Sequence, residues 1–412
     1  MDKRLVPAAM QNVRLNSILR VAILGAGILS NSRLFAQDPT DLVQRALKSR
    51  DSVKASLKLL DAAKRTSSGL GAPPATRIET GSGTRPDVNG GEDLTLFQPF
   101  DMFGKARAAS AGGRAGVKVA ESAVRQTQID VQTEVLAAIA AWSSASRGLQ
   151  TAGNQLDLTK QLERATKARV EARALPDLQM TRVSLEVQRA EQGVIDKQAS
   201  VQSALVKLRQ VVGESVDSVS SPSLANLMIE SAKPERDRPE LLLLSSQRTG
   251  FLADQTSAKL SALPDFELQA RRTSWATPEA YGIRFQLVVP LWDHGASRNK
   301  ASAAQRQADA SSLQYSDTQK KIAAEIESAN IQLSAAKKSL AAYEKLAAGV
   351  KDLMDKTQRG FELGANTLMD VLDAKRALSD ALDQRSAAQL NLDLAVAELL
   401  RSQGQILGET QR

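Results

Sequence analysis

Two carboxylates, Asp370 and Asp373, stand three residues apart, and this spacing places them on one face of a predicted helix. Thr367 precedes Asp370 by three residues, as in a capping box, where two side chains satisfy free backbone N–H groups at a helix start. Acidic side chains in a first turn also complement the positive end of the helix dipole. The residues alone therefore predict a capped helix N-terminus here.

No other group of side chains in the sequence has the spacing of a catalytic or metal site. The single histidine, His294, follows Asp293 at a predicted strand-to-helix junction, where a turn residue is expected and where a metal would need more ligands. Gly112, Gly113 and Gly116 lack the Gly-Lys-Ser/Thr ending of a phosphate-binding loop. The absence of cysteine excludes disulfides, thiol catalysis and zinc–cysteine sites. We predict no enzyme activity, no cofactor and no metal.

The positive charge of the chain is concentrated at its N-terminus. Residues 1–36 combine a basic start with a short apolar core at 21–29 and a small residue, Ala36, before Gln37, which is the pattern of a secretory signal peptide. Without these residues the formal net charge falls from +8 to +4, and the remaining basic residues are interleaved with acids along helices. The charge pattern therefore predicts an exported protein without a nucleic-acid partner.

One motif occurs twice. Pro99 and Pro290 each begin the pattern Pro-x4-Gly-x2-Arg, 191 residues apart. Further landmarks repeat at nearly the same offset: Pro74 with Pro264, and Asp177 with Asp370. These matches predict an internal duplication of about 190 residues, in which one object is built from two similar halves.

Each copy begins with predicted strands. Residues 75–100 are predicted as two strands around a polar turn at 85–91, and residues 266–270 and 283–287 alternate apolar and polar side chains around a turn at 276–280. An isolated two-stranded hairpin is not stable by itself. These strands therefore need copies from other subunits or a bilayer against one face.

Long helices follow the strands. Apolar residues recur with 4-3 spacing from Ile322 to Phe361, and the same seam, rich in Ala, starts at Val131 in the first copy. A helix of about 67 residues would be roughly 100 Å long, which predicts a rod or tube and not a compact domain. A shorter helix is predicted at 38–68, and its apolar stripe is Leu42, Ala46, Val53, Leu57 and Leu60. Residues 239–262 are its counterpart in the second copy.

Each long helix is predicted to turn and return. Gly364 can take the left-handed conformation that stops a helix, and Pro176 is predicted at the first position of the earlier return helix. The return helices are predicted to end near Gly213 and Gly404. The resulting division is a signal peptide at 1–36, a first repeat at 37–213, a linker at 214–238, a second repeat at 239–405 and a tail at 406–412.

The sequence resembles the TolC-type outer-membrane efflux protein family over about residues 38–405. The most specific stretches are Gly-Phe-Glu-Leu-Gly-Ala-Asn-Thr-Leu-Met-Asp-Val-Leu-Asp-Ala at 360–374 and Pro-Leu-Trp-Asp-His-Gly at 290–295. The first copy matches more weakly, through Arg169-Val170 and Asp177-Leu178, and has no Gly in its turn.

The resemblance implies a mainly α protein with a small β part. It implies a long α-helical coiled-coil tunnel in the periplasm, and four strands per protomer of a twelve-stranded β-barrel that a homotrimer shares in the outer membrane. The implied function is the channel of a tripartite efflux pump or a type I secretion system, which exports small molecules or proteins. The implied partners are a periplasmic adaptor, an inner-membrane transporter and outer-membrane lipid.

The resemblance also implies a gate at the periplasmic tips. In the family a tyrosine, an arginine and an aspartate close the tip, and two aspartates ring the entrance. The matching positions here are Phe361, Asn366 and Asp177 for the closing groups, Asp370 and Asp373 for the ring, and Gly364 in the turn. Phe361 has no hydroxyl and Asn366 cannot form an ion pair, so the closing network departs from the family pattern. Packed carboxylates would favour cations and raise some of their own pKa values.

Two other functions fit parts of the sequence. A periplasmic adaptor also has a long helical hairpin, although it has one and lacks the duplication. A structural coiled coil would need neither a signal peptide nor alternating strands. Both remain alternatives to the channel.

Overall fold

The structure, a computed structural model, describes residues 38–72, 74–85, 88–213, 224, 227, 238–273 and 280–408. The predicted signal peptide, most of the linker at 214–238, most of the turn at 276–280 and the end of the tail lie outside the described residues. In chain order the elements are α1 (Pro39–Ser49), α2 (Asp51–Leu70), β1 (Arg77–Arg85), β2 (Val88–Phe100), α3 (Lys105–Glu171), α4 (Asp177–Val212), α5 (Pro239–Leu260), β3 (Asp265–Thr273), β4 (Ala280–Val288), α6 (Ala296–Glu362) and α7 (Leu368–Gln403). The predicted fold class is confirmed: the protein is mainly helical with four antiparallel strands, and each half runs from one or two shorter helices through a hairpin to a long helix and a return helix.

The four strands form one antiparallel sheet in the order β1-β2-β3-β4. The predicted hairpins are therefore not isolated, because β2 of the first repeat pairs with β3 of the second. The register places Ile78, Leu96, Ala270 and Ile283 in one row across the sheet, so the apolar residues share a face. The predicted turn at 85–91 is too long, since β1 continues to Arg85 and β2 begins at Val88.

Each hairpin leads into a 67-residue helix through the same type of junction. Gly104 and Gly295 precede α3 and α6 with φ of 78° and 79°, a left-handed conformation that glycine adopts without strain. Asp101 accepts a hydrogen bond from the Lys105 N–H at 2.7 Å, and Asp293 accepts one from the Ser297 N–H at 3.0 Å. These aspartates satisfy N–H groups that a helix start leaves free.

The position of His294 agrees with the turn that the sequence predicted, because its φ is 48° and it lies between Asp293 and Gly295. Across the described part of the chain, no group of three or more His, Cys, Asp or Glu side chains is arranged to hold a metal ion. The helices in these ranges are also not long and apolar enough to cross a membrane.

The predicted single helix at 38–68 is two helices. The chain is extended at Arg50, with φ −61° and ψ 128°, because the Arg50 side chain reaches the end of α4. Leu42, Ala46 and Val53 are buried as predicted, whereas Leu57 is exposed.

Two apolar clusters hold the helices together. The larger one joins α1, α3, α7 and the end of α4, and its fully buried members include Val135, Leu136, Ile139, Leu208 and Leu400. The smaller one lies near the turns that connect the long and return helices. Every predicted seam position of α6 from Ile322 to Phe361 is buried or half-buried, which confirms the heptad seam.

Candidate functional site

The two turns between long and return helices have the same backbone geometry. Gly364 has φ 85°, and the Ala365 N–H donates to the Gly360 carbonyl at 2.7 Å. Arg173, 191 residues before Gly364, has φ 58°, and the Ala174 N–H donates to the Arg169 carbonyl at 2.8 Å. Both are Schellman-type helix ends. The predicted role of Gly364 is confirmed, and an arginine takes the same conformation where the sequence offers no glycine.

Arg169 connects the two turns. Its Nη1 donates to the Phe361 carbonyl at 2.5 Å, and its guanidinium carbon lies 4.8 Å from the centre of the Phe361 ring. A guanidinium at this distance from an aromatic face is attracted by the ring quadrupole. The end of α3 is therefore bound directly to the end of α6. In the sequence, Arg169 is only part of the stretch that matches the family in the first copy. An arginine in the last turn of a helix does not by itself indicate a contact with the other repeat.

Phe361 is the centre of the smaller apolar cluster. It is 1% exposed, and the buried residues of this cluster come from α3, α4, α6 and α7: Leu162, Val183, Met354, Leu368, Val371, Leu372 and Ala374. The predicted gate residue therefore contributes a buried ring. This contact between the repeats requires no phenolic hydroxyl, so the departure from the family tyrosine is compatible with a packed tip.

Asn366 bonds within its own hairpin. Its Nδ2 donates to the Thr357 carbonyl at 3.1 Å, and a Cβ at Gly360 would lie 2.4 Å from the same nitrogen, so a larger residue there would displace the Asn366 side chain. Asp177 is exposed at the start of α4. The sequence predicted Pro176 as the first helical residue of α4. In the structure Pro176 is the cap residue, one position before the helix begins.

Asp370 is a helix cap. Its Oδ2 accepts hydrogen bonds from the Thr367 N–H at 2.8 Å and hydroxyl at 2.7 Å, and the Asp370 N–H donates to the Thr367 hydroxyl at 3.2 Å. The predicted capping box is confirmed. These bonds from Thr367 hold the pKa of the Asp370 carboxyl below its usual value, which opposes the rise predicted for a ring of like charges.

Basic side chains lie beside the predicted ring. Asp373 accepts from Arg376 Nη1 at 3.4 Å, and Glu186 of α4 lies 3.6 Å from Lys375 Nζ and 3.7 Å from Arg376 Nη2. Burial lowers the pKa of Lys375, and Glu186 acts in the opposite direction. This group joins the two return helices near their turns. No local pattern in the sequence indicates this group, because Glu186 and Lys375 belong to different repeats.

The second repeat has a family match. Residues 238–405 match the profile of the family described as Outer membrane efflux protein. The outer membrane protein TolC of Vibrio cholerae is 29% identical over 135 residues, which are 33% of this chain and 31% of that protein, so the alignment spans about a third of that relative. The cobalt-zinc-cadmium resistance protein CzcC of Cupriavidus metallidurans is 24% identical over 298 residues, 69% of this chain and 70% of that protein.

Solved structures share the fold over nearly all of the described chain. The MtrE outer membrane channel of Neisseria gonorrhoeae has a TM-score of 0.75 at 15% identity and covers 90% of this chain and 89% of its own. CusC has a TM-score of 0.78 at 14% identity, with coverage of 89% and 92%. The family match falls on one repeat, and the other repeat reproduces its order of elements. Residues 238–405 therefore carry the signature of the outer membrane efflux protein family, and the chain as a whole has the fold of the solved outer-membrane channels.

Proposed function

We propose that this protein is the outer-membrane channel of a tripartite export system, and that three copies form the channel. The observation that carries the proposal is a sheet with two open edges, β1 and β4, joined to two 67-residue helices. Unpaired strand edges are stable when neighbouring copies pair with them, and closure into a barrel removes them altogether. Four strands are too few to close a barrel alone.

Exposed apolar side chains support assembly. On one face of β4, Ile283 and Phe285 are 77% and 82% exposed, which suits contact with lipid. On the helices, Leu59, Val206 and Leu313 are more than 60% exposed. Large exposed apolar residues on several elements indicate surfaces that partners cover. A periplasmic adaptor and an inner-membrane transporter are the proposed partners at the tips. The adaptor is disfavoured as an identity because it has one helical hairpin and no duplication, and the structural coiled coil because it does not account for the sheet.

We expect neighbouring copies to pair through β1 and β4. Because the chain has no cysteine, Ile78→Cys on β1 combined with Ile283→Cys on β4 should give two-chain and three-chain species with a short thiol-reactive crosslinker in mild detergent. The matched control is Ile78→Cys with Leu96→Cys, which are partners within one chain and should add no larger species. A folded, membrane-inserted protein that stays monomeric would contradict the trimer.

We also propose that the tips form the gate and the entrance. Arg169 and Phe361 close the tip within each protomer, Gly364 and Asn366 shape its turn, and Asp177 stands exposed at the first return helix. Asp370 and Asp373 of three copies contribute six carboxylates, which Arg376 and Lys375 partly compensate.

The proposed entrance ring should favour cations. Replacing both Asp370 and Asp373 with Ala should reduce cation selectivity and block by multivalent cations in planar bilayers, because the local negative potential is lost. Thr367→Ala is the control: it removes the cap, at a cost of about 1 kcal/mol, and keeps both carboxylates. The Asp370 charge should persist at neutral pH and disappear only as pH falls through its lowered pKa. Unchanged selectivity in the double variant would mean that these aspartates only cap a helix.

A further inference from the structure

An arginine binds the far end of each return helix. In the first repeat, Arg50 Nη1 donates to the Val211 carbonyl at 3.3 Å, and its Nη2 lies 2.8 Å from Glu134 Oε2 on α3. These three groups are called the first clamp. They join the break between α1 and α2, the long helix α3 and the last turn of α4, at the end away from the turn.

The second repeat has an equivalent clamp. Arg238, at the cap of α5, donates to the Ser402 carbonyl in the last turn of α7, and its Nη2 lies 3.4 Å from Glu325 Oε2 on α6. Glu325 follows Glu134, and Ser402 follows Val211, by the same 191 residues. Arg50 and Arg238 also share a backbone conformation, with φ of −61° and −64° and ψ of 128° in both. The duplication has therefore kept a polar contact as well as the order of elements.

The two clamps differ in burial. The Arg238 side chain is 4% exposed, against 23% for Arg50. Arg238 also makes a forked contact with Glu240, at 3.0 Å from Nε and 2.8 Å from Nη2. A buried guanidinium that loses its partners is strongly unfavourable, whereas one that is partly exposed can be hydrated. The second clamp should therefore constrain its helices more tightly.

One row of buried residues on α7 does not define an alignment by shape. Ala374, Ala381, Ala388 and Ala395 are all buried and recur every seven residues. A shift of α7 by one heptad along α6 replaces Ala with Ala in this row, so these four positions discriminate weakly between the two alignments. In coiled coils, a single buried polar position specifies the register of such repetitive seams.

We infer that Arg238 is a positioning residue that fixes the register of α7 along α6, and that Arg50 has the same role for α4 along α3. In a slipped register, Arg238 would lose the Ser402 carbonyl and Glu325 would face another turn of α7. The register fixed at this end also determines the axial position of Asp370 on α7 relative to Phe361 on α6 at the opposite end. Because this role concerns only the alignment of two helices, it can be tested without measuring transport.

Disulfide trapping in the full-length protein can measure the register. Ala347 precedes Gly364 by 17 residues and Ala381 follows it by 17, so cysteines at these two buried positions report the native register. Cysteines at Ala347 and Ala388 report a slip of one heptad. With Arg238 present, we expect only the native pair to form a disulfide. Arg238→Ala should increase the slipped disulfide at least tenfold, and Arg50→Ala, the matched control in the other repeat, should leave it unchanged.

Each outcome decides the inference. A slipped disulfide with Arg238 present, or only the native disulfide in Arg238→Ala, would overturn it. In the second case, faster amide exchange in the last turn of α7 would make Arg238 a helix cap and nothing more. If Arg238→Ala does not fold, Glu325→Gln and Arg238→Lys keep part of the clamp and should give smaller increases in the slipped product. Native disulfide alone in both of these variants would also overturn the inference.

Discussion

Phe361→Ala is expected to open the periplasmic tip. The substitution leaves a cavity among buried side chains of four helices and removes the ring beneath Arg169. Truncation of a buried phenylalanine costs about 3–5 kcal/mol, and here the loss falls on the contact that joins the two repeats. Single-channel conductance in planar bilayers should rise well above the wild-type level, and cells that carry the variant should become more sensitive to large antibiotics.

Two controls separate packing from the contact with Arg169. Phe361→Leu retains an apolar side chain and should recover most of the stability, while it loses the attraction between guanidinium and ring. Arg169→Ala removes that attraction and the bond to the Phe361 carbonyl but leaves the apolar cluster intact, so its conductance should lie between those of wild type and Phe361→Ala. A trimeric Phe361→Ala protein with wild-type conductance would show that the tip contact does not restrict the channel.

Asp393→Ala is expected to destabilise the protein by about 1–3 kcal/mol, the usual cost of leaving a buried hydrogen-bond donor without its acceptor. The Asp393 side chain is fully buried and accepts hydrogen bonds from the Leu224 N–H at 3.1 Å, Gln389 Nε2 at 3.3 Å and Arg147 Nη2 at 3.4 Å. Burial raises the pKa of Asp393, while Arg147 acts to lower it. Its loss would leave the buried Leu224 N–H without this acceptor.

Thermal unfolding in detergent measures this effect. Asp393→Asn keeps an oxygen that can accept from Leu224 and removes the charge that Arg147 faces, so its melting temperature should lie between those of wild type and Asp393→Ala. Asp380→Ala, on the same helix at an exposed position, is a control that should change stability little. Equal melting temperatures for Asp393→Ala and wild type would mean that Leu224 is held by its apolar contacts alone.

The sequence by itself determined the features that repeat or that depend on neighbouring residues. The 4-3 seam, the alternation in β3 and β4 and the duplication are periodic, so each is supported by many residues at once. The ends of the helices at Gly213, Gly364 and Gly404 and the cap made by Thr367 and Asp370 are local, because both partners lie within one turn of chain.

Only the tertiary structure decided which polar groups far apart in the sequence meet. Arg169 reaches Phe361 over 192 residues of sequence, and Asp393 reaches Leu224 over 169. Each such contact occurs once and therefore leaves no periodic pattern in the sequence. An arginine on a helix has the same sequence neighbours whether its guanidinium donates to water or to a carbonyl. The break at Arg50 has the same origin: propensity favours one continuous helix, and the bonds of Arg50 to α4 and Glu134 interrupt it. Periodicity therefore determines the elements, while isolated long-range polar contacts determine how they are fixed to one another.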